Sequence, residues 1–348
     1  MRLISNPFRG PGLQALELQD VPSPSVSGDK PMSLLERCPR AGATPLIEAT
    51  SLASACGVGR VSLKDERDRM GLGSFKALGA AYVIACDAEA GTAAGTTYVT
   101  ASAGNHGMSV AAGAAAFGAR AVIYLSETVP QSFADKLLEI GADVVRAGDD
   151  YEGSMRAAQD AAARDGAILL SDSSWPGYTE HPLVLMQGYL VLMHEVFDQI
   201  DAPPSHIFLQ AGVGGLAGAA AAAARAQWGD APVIVVVEPE VAPALAGSIE
   251  AGRPVKTEGP VSAMGRLDCK EPSLIALKGL ARDADFFVTI SEEEGFAGAK
   301  LAEQHGYETT PSGAAGLAAL ALAGQPSEDI GLRSDSRALI FLSERADG

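Results

Sequence analysis

The chain is short of positive charge. Its 26 lysines and arginines stand against 43 aspartates and glutamates, a formal net charge of −17 over 348 residues. Nucleic acid and anionic lipid both need a basic footprint, so neither is an expected partner, and an anionic small molecule would need its own pocket of local donors. Long apolar runs are missing as well. The longest uncharged apolar stretch, Ala211 to Ala224, is mostly alanine and glycine and falls short of the roughly 18 residues that suggest a membrane span. No sustained apolar run follows the first arginine of MRLISNPFRG, so neither a secretory leader nor a membrane anchor is expected. Cysteine is sparse: Cys38, Cys56, Cys86 and Cys269 are scattered without a close pair, which suits neither a zinc site nor a disulfide framework and points to the cytoplasm. The five histidines form no helix-spaced pair, so no metal is expected.

What is present is a regular alternation. After a Pro/Gly/Ser-rich opening of about thirty residues, expected to lie as an arm across the surface, short β-branched runs alternate with alanine-rich segments of helical length. RVSLKDE, TYVTASAG, RAVIYLSE, DVVRAG, AILLSD, HIFLQAG, VIVVVEPE and ALIFLSE read as strands, while NHGMSVAAGAAAFGA and SFADKLLEIGA read as helices ending in glycine. This pattern predicts an α/β fold of two lobes, each with a largely parallel twisted sheet flanked by helices. Residues 87–184 would form the smaller lobe, and 1–86 with 185–348 the larger. Such sheets bind ligands at the carboxyl ends of their strands, where loops meet helix N-termini.

Four strand ends stand out. Ser102, Ala103, Gly104 and Asn105, in SAGNHG, follow the strand TYVT and open a helix; they either cap it or offer consecutive backbone donors to a carboxylate. Gly212, Val213, Gly214, Gly215 and Leu216, in QAGVGGLAG, make a glycine loop that is either a tight turn or a phosphate cradle. The loop lacks a Walker lysine and the dinucleotide glycine spacing, which leaves a phosphate-bearing cofactor other than a nucleotide. In SLKDERDRMGLGSFK, Lys76 is placed to begin a helix, whose positive end would favour the neutral amine that attacks carbonyls. Ser343 ends the strand ALIFLSE.

Together these pieces resemble the fold type II pyridoxal-phosphate enzymes, the tryptophan synthase β-like group that includes threonine dehydratase, serine racemase and cysteine synthase. The shared order is TPL at Thr44, SFK at Lys76, SAGNHG from Ser102, the glycine loop from Gly212, PSGAAGLAAL from Pro311 and the closing strand with Ser343. Within the group, KDE, GLGSFKALGAAY, WPGYTEHP, MQGY, VVEPE and KEP look most like the diaminopropionate ammonia-lyases.

The resemblance implies pyridoxal 5'-phosphate as cofactor, with its aldehyde on Lys76, its ring hydroxyl on Asn105, its phosphate on Gly212 to Leu216 and its ring nitrogen on Ser343. A hydroxyl partner at the ring nitrogen suits β-elimination better than transamination. Ser102 to Asn105 would receive the carboxylate of a small amino-acid substrate. The freed Lys76 amine would take the α-proton, a β-substituent would leave, and a 2-oxo acid and ammonia would form. Asp65 would act as a second catalytic group, either on the opposite face of a D-substrate or on the departing β-amine; otherwise it is a strand-end carboxylate paired with Lys64 or Arg67. The first candidate substrate is 2,3-diaminopropionate. The alternatives are a serine, threonine or 3-hydroxyaspartate dehydratase and, from another class, a pyridoxal- or amino-acid-binding protein without catalysis. Arg266 and Lys270 depart from that family's small residues and would bring new positive charge near the pocket. A homodimer is expected, as in related enzymes.

Overall fold

Strands covered on both faces are apolar at nearly every position, and the runs HIFLQ, VIVVVEP and RALIFL fit this, with polar residues only at or near their ends. The computed structural model, which describes residues 1–323 and 330–346, uses these runs at the centre of a seven-stranded sheet. In chain order the strands are β1 (Arg2–Ser5), β2 (Leu46–Glu48), β3 (Arg60–Asp65), β4 (Thr97–Ala101), β5 (Arg120–Leu125), β6 (Asp143–Arg146), β7 (Ile168–Leu169), β8 (His206–Gln210), β9 (Val233–Pro239), β10 (Phe286–Ile290) and β11 (Arg337–Leu342). The large sheet runs β1-β10-β9-β8-β11-β3-β2, and a four-stranded sheet runs β6-β5-β4-β7. All neighbours are parallel except the two edges of the large sheet, where β1 pairs antiparallel with β10 and β2 with β3.

The strand period of two divides the core. Ile207, Leu209, Ile234, Val236, Leu339 and Phe341 turn to one face, under the alanine-rich helix Gly215–Trp228 and the helices around it. Phe208, Val235, Val237, Ala338, Ile340 and Leu342 turn to the other, against the helices Thr50–Cys56, Glu292–Gln304 and Ala315–Ala323. Alanine lets the Gly215–Trp228 helix lie close to the sheet, and Gly215 to Ala224 are all buried.

All eight runs expected to be strands are strands. The opening segment differs from its expectation in part. Arg2–Ser5 adds a strand to the edge of the large sheet, and the following stretch buries Leu13, Leu18 and Val21 while Lys278 donates to the Leu18 carbonyl at 2.9 Å. The arm therefore packs on its own chain. The lobe limits expected at 86/87 and 184/185 fall within the helices Ala80–Glu89 and Glu180–Gly188. Helix Ala80–Glu89 lies against helix Asn105–Ala116, where Ala81 N–H meets the Ser109 hydroxyl at 3.4 Å.

The loop between β3 and Lys76 rests on a buried ion network. Lys64 Nζ donates to Glu195 at 2.6 Å, to the Thr44 carbonyl at 2.7 Å and to Gln199 Oε1 at 3.1 Å. Arg69 forks onto Glu66 and also onto Glu195, with all four bonds at 2.7 Å. Two cations thus meet two carboxylates with none left uncompensated. Burial works against the charge on Glu195, but Arg69 and Lys64 outweigh it and hold its pKa below the ordinary glutamate value. A depressed folded-state pKa stabilises the protein above the ordinary carboxylate range, and that contribution is lost as pH falls through the folded value. Replacing Glu195 by Gln leaves the two cations sharing Glu66, so the substitution should cost about 3–5 kcal/mol in urea unfolding at neutral pH. The gap between parent and variant should narrow as the pH is taken down through the acid range.

Candidate active site

Lys76 sits where the two sheets meet. The expected helix at this lysine is a single 3₁₀ turn, Phe75–Leu78, capped by the Ser74 hydroxyl. The turn is tied to the end of the last strand of the large sheet: Phe75 N–H donates to the Ser343 carbonyl at 3.1 Å, and Arg345 N–H donates to the Gly73 carbonyl at 3.0 Å. Ser343 is buried, and sits immediately after β11.

The group facing Lys76 comes from the smaller sheet. Lys76 Nζ forms an ion pair with Asp172, three residues beyond the end of β7, and both side chains are about one-fifth exposed. Burial tends to lower the lysine pKa, but Asp172 outweighs it and holds the amine protonated above its usual range. The same pair, with His106 adding to it, keeps Asp172 ionised against its own burial. The expectation that a helix field would favour the neutral amine is therefore overturned. A four-residue turn has little dipole, and a carboxylate in contact dominates it.

SAGNHG takes the position expected of it. The helix Asn105–Ala116 begins there with no side-chain cap, and its first internal bond runs from Met108 N–H to the Gly104 carbonyl, so the amides of Asn105, His106 and Gly107 have no carbonyl one turn back. Ser102 to Asn105 are all part-exposed, and a β-carbon at Gly104 would meet nothing. Asn105 Nδ2 donates to Glu344, a buried carboxylate that also accepts from Thr310 Oγ1 and lies 3.4 Å from Arg266 Nε. His106 Nε2 meets the Leu170 carbonyl at 2.9 Å, and since a carbonyl only accepts, that nitrogen carries the proton. Burial lowers the His106 pKa, and its buried Nδ1 has no hydrogen-bond partner.

The glycine loop faces the same space. Gly214 has φ +96°, a conformation that side chains resist, and the helix Gly215–Trp228 starts directly after it without a side-chain cap. A β-carbon on Gly212 would stand 3.0 Å from Cys269 Sγ and from the Arg266 carbonyl. Gly212 to Leu216 thus present a bare helix N-terminus suited to a phosphate dianion. Amide donors at two helix starts, an amine with a counter-ion and two orphaned buried polar atoms, His106 Nδ1 and the Tyr189 hydroxyl, fit a phosphate-bearing aldehyde cofactor held on Lys76.

Asp65 is engaged by its own neighbour. Its carboxylate is held in a fork by the Arg67 guanidinium, at 2.8 and 2.7 Å, and Arg67 also donates to the Glu308 carbonyl; no hydrogen bond or ion pair joins Asp65 to Lys76 among the described residues. Pairing with Arg67 was the simpler alternative for this residue. Its neighbours Lys64 and Glu66 belong to the buried network, so the KDE triplet serves the loop's foundation. The expected new charge near the pocket is also accounted for. Lys270 donates to the Val241 and Pro260 carbonyls and to Asp268 within its own loop, and Arg266 pairs with Glu344.

Sequence reasoning missed Asp172, Tyr189 and Glu344. Asp172 ends the run AILLSD, a strand end of the same kind as the four singled out, and was the findable one. Tyr189 closes MQGY and is buried, with its pKa pushed up to about 12 by burial while Lys76 pulls it the other way. Among the described residues no group of three or more His, Cys, Asp and Glu could hold a metal ion, and no helix is long and apolar enough to cross a membrane.

Comparison with known proteins identifies the family. A family model described as pyridoxal-phosphate dependent enzyme matches residues 38–343. The chain is 32% identical over 304 residues to the diaminopropionate ammonia-lyase of Escherichia coli strain K12, covering 80% of this chain and 76% of that protein. Crystal structures of the Escherichia coli lyase superpose on it, one in complex with an aminoacrylate-PLP reaction intermediate at TM-score 0.88 and 27% identity, and one in complex with D-serine at TM-score 0.87 and 26% identity. Each covers 99% of this chain and 93% of its own.

Replacing Asp172 by Asn tests the electrostatics directly. With the counter-ion gone, burial acts unopposed on Lys76, and in cofactor-free protein the pH at which its amine becomes half-reactive to an acylating reagent should fall by roughly one to three units. Peptide mass mapping across a pH series gives that midpoint.

Proposed function

Since this chain belongs to the pyridoxal-phosphate dependent enzyme family, we propose that it is an ammonia-lyase acting on a small β-substituted amino acid, with 2,3-diaminopropionate the first substrate and pyruvate and ammonia the products. The observation that carries the reading is the Lys76–Asp172 pair, set beside the two helix starts at Asn105 and Gly215. The relatives at about this level of identity that carry the lyase name support the substrate class.

Bound pyridoxal phosphate supplies a ring that draws off the electron pair left on the α-carbon once its proton is gone. The chain's own residues do the rest. Gly212 to Leu216 would hold the phosphate, Asn105 would donate to the ring hydroxyl, and Ser343 would meet the ring nitrogen. The bare amides following Ser102 receive the substrate carboxylate, which gives an acidic protein a local attraction for an anion. Lys76 Nζ serves as tether and, once released, as the base that takes the α-proton. Asp172, an acceptor beside that nitrogen, would steady the ammonium that forms, and that ammonium would return its proton to the departing β-amine. Asp65 has no part in this scheme.

Dehydration of serine on the same residues is the second reading, because the lyase of Escherichia coli has been crystallised in complex with D-serine. The same proposal takes 1–86 with 185–348 as the cofactor-binding lobe, a cytoplasmic location and a homodimeric assembly; light scattering tests the last.

Lys76→Ala should abolish both the visible absorbance of the loaded protein and oxo-acid production. Parallel rates with 2,3-diaminopropionate and with the two enantiomers of serine decide between the readings. A tenfold or greater preference for the diamine, in kcat/KM, is expected, as roughly 1.4 kcal/mol of discrimination requires. Full turnover in the Lys76 variant sinks both.

A further inference from the structure

The motif MQGY ends in a side chain that the scheme above leaves without work. Tyr189 is 1% exposed, and its hydroxyl, close enough to Lys76 to feel its charge, makes no hydrogen bond of ordinary geometry among the described residues. A buried hydroxyl without a partner destabilises a fold, and phenylalanine would fill the same space without that penalty. The packing around it is nonetheless closely fitted. The Tyr189 ring meets Phe75 edge to face, with centroids 4.9 Å apart, and Lys76 Nζ lies 5.3 Å from the centre of that same Phe75 ring. A β-carbon on Gly79, at the end of the lysine turn, would stand 2.8 Å from the Tyr189 oxygen, and one on Gly188 would stand 2.1 Å from the Leu78 carbonyl. Glycine at both positions is what lets the MQGY helix and the lysine turn come close enough for the phenol to enter.

We infer that the Tyr189 hydroxyl is the second polar partner of the Lys76 amine, a positioning residue that holds the nitrogen when it is neutral. The argument is one of donors and acceptors. Asp172 is ionised and can only accept, so it holds the protonated amine and has nothing to offer the lone pair of the neutral one. A phenol both donates and accepts. Its oxygen can take an N–H from the ammonium, and its O–H can turn to the lone pair once the amine has lost a proton. With its pKa up near 12, the phenol keeps its own proton throughout and acts by orientation alone. Of the other ionisable groups near Lys76, His106 has its Nε2–H committed to the Leu170 carbonyl and Cys269 offers only the weak donor of a thiol, so neither replaces the hydroxyl.

The role in turnover rests on the lyase reading, but the positioning of Lys76 does not, and the test separates them. Full-length protein stripped of cofactor is mixed with pyridoxal 5'-phosphate, trapped with borohydride at timed intervals and mapped for label on Lys76. In Tyr189→Phe the initial trapping rate should be about tenfold lower, and in the loaded enzyme kcat should fall by about tenfold or more with KM little changed. The thermal midpoint should equal or exceed that of the parent, since an unpartnered hydroxyl has been removed. A trapping rate within twofold of the parent overturns the inference, as does a midpoint that falls together with the rate, which would make Tyr189 a packing residue only. Slowed trapping in a protein whose parent releases no oxo acid would retire the lyase reading and leave this inference standing.

Discussion

An ammonium withdrawn from bulk water needs a counter-charge, and Lys76 finds its own 96 residues further along the chain, in Asp172. That single pair constrains much of what surrounds it. The lysine is delivered by a turn tied to the end of the large sheet, and the carboxylate by the end of the small one, so the pair forms only where the two sheets present their carboxyl edges to each other. The bond between Asn105 and Glu344 spans the same junction, joining the start of the SAGNHG helix to the residue after Ser343. The ion pair and the Asn105–Glu344 bond are therefore both assembled from the two sheets at once.

The electrostatic design is local. A net charge of −17 repels anions at long range, yet the site gathers amide donors at two uncapped helix starts and one lysine, each effective only within a few ångströms. The remaining charges nearby are balanced in pairs: Arg266 with Glu344, Lys270 with Asp268, Arg67 with Asp65. Beneath the lysine loop, Lys64, Arg69, Glu66 and Glu195 cancel in the same way. The strained Met70, with φ +52°, follows directly after the Arg69 clamp, so the network fixes the loop where its backbone is least relaxed.

The parts of the fold that could be read in advance were those carried by local pattern. HIFLQ and VIVVVEP are apolar at nearly every position because both faces are covered, and the SAGNHG and QAGVGGLAG segments announce a helix start by their small residues. What escaped notice had long-range causes. Arg2–Ser5 looked like part of an arm because proline and glycine follow it, and it becomes a strand only because the edge of β10 is there to receive it. The lysine turn begins where Phe75 N–H reaches the Ser343 carbonyl and ends at Gly79, where the helix Ala80–Glu89 takes over. Asp65 and Asp172 are both strand-end acids; Arg67, two residues on, marks the first as a local ion pair, while nothing beside Asp172 announces Lys76.

The amino-acid sequence by itself determined the alternation of strands and helices, the lysine, the two helix-start donor segments and the family to which they belong, since each is written in neighbouring residues and in period. Only the tertiary structure decided which acid faces Lys76, that Glu344 holds Asn105, and that a phenol enters beside the amine through the space left by Gly79 and Gly188. The physical reason is that ion pairs and close backbone approaches are set by distances across the fold, and residues far apart in the chain carry no local mark of the partner they will meet.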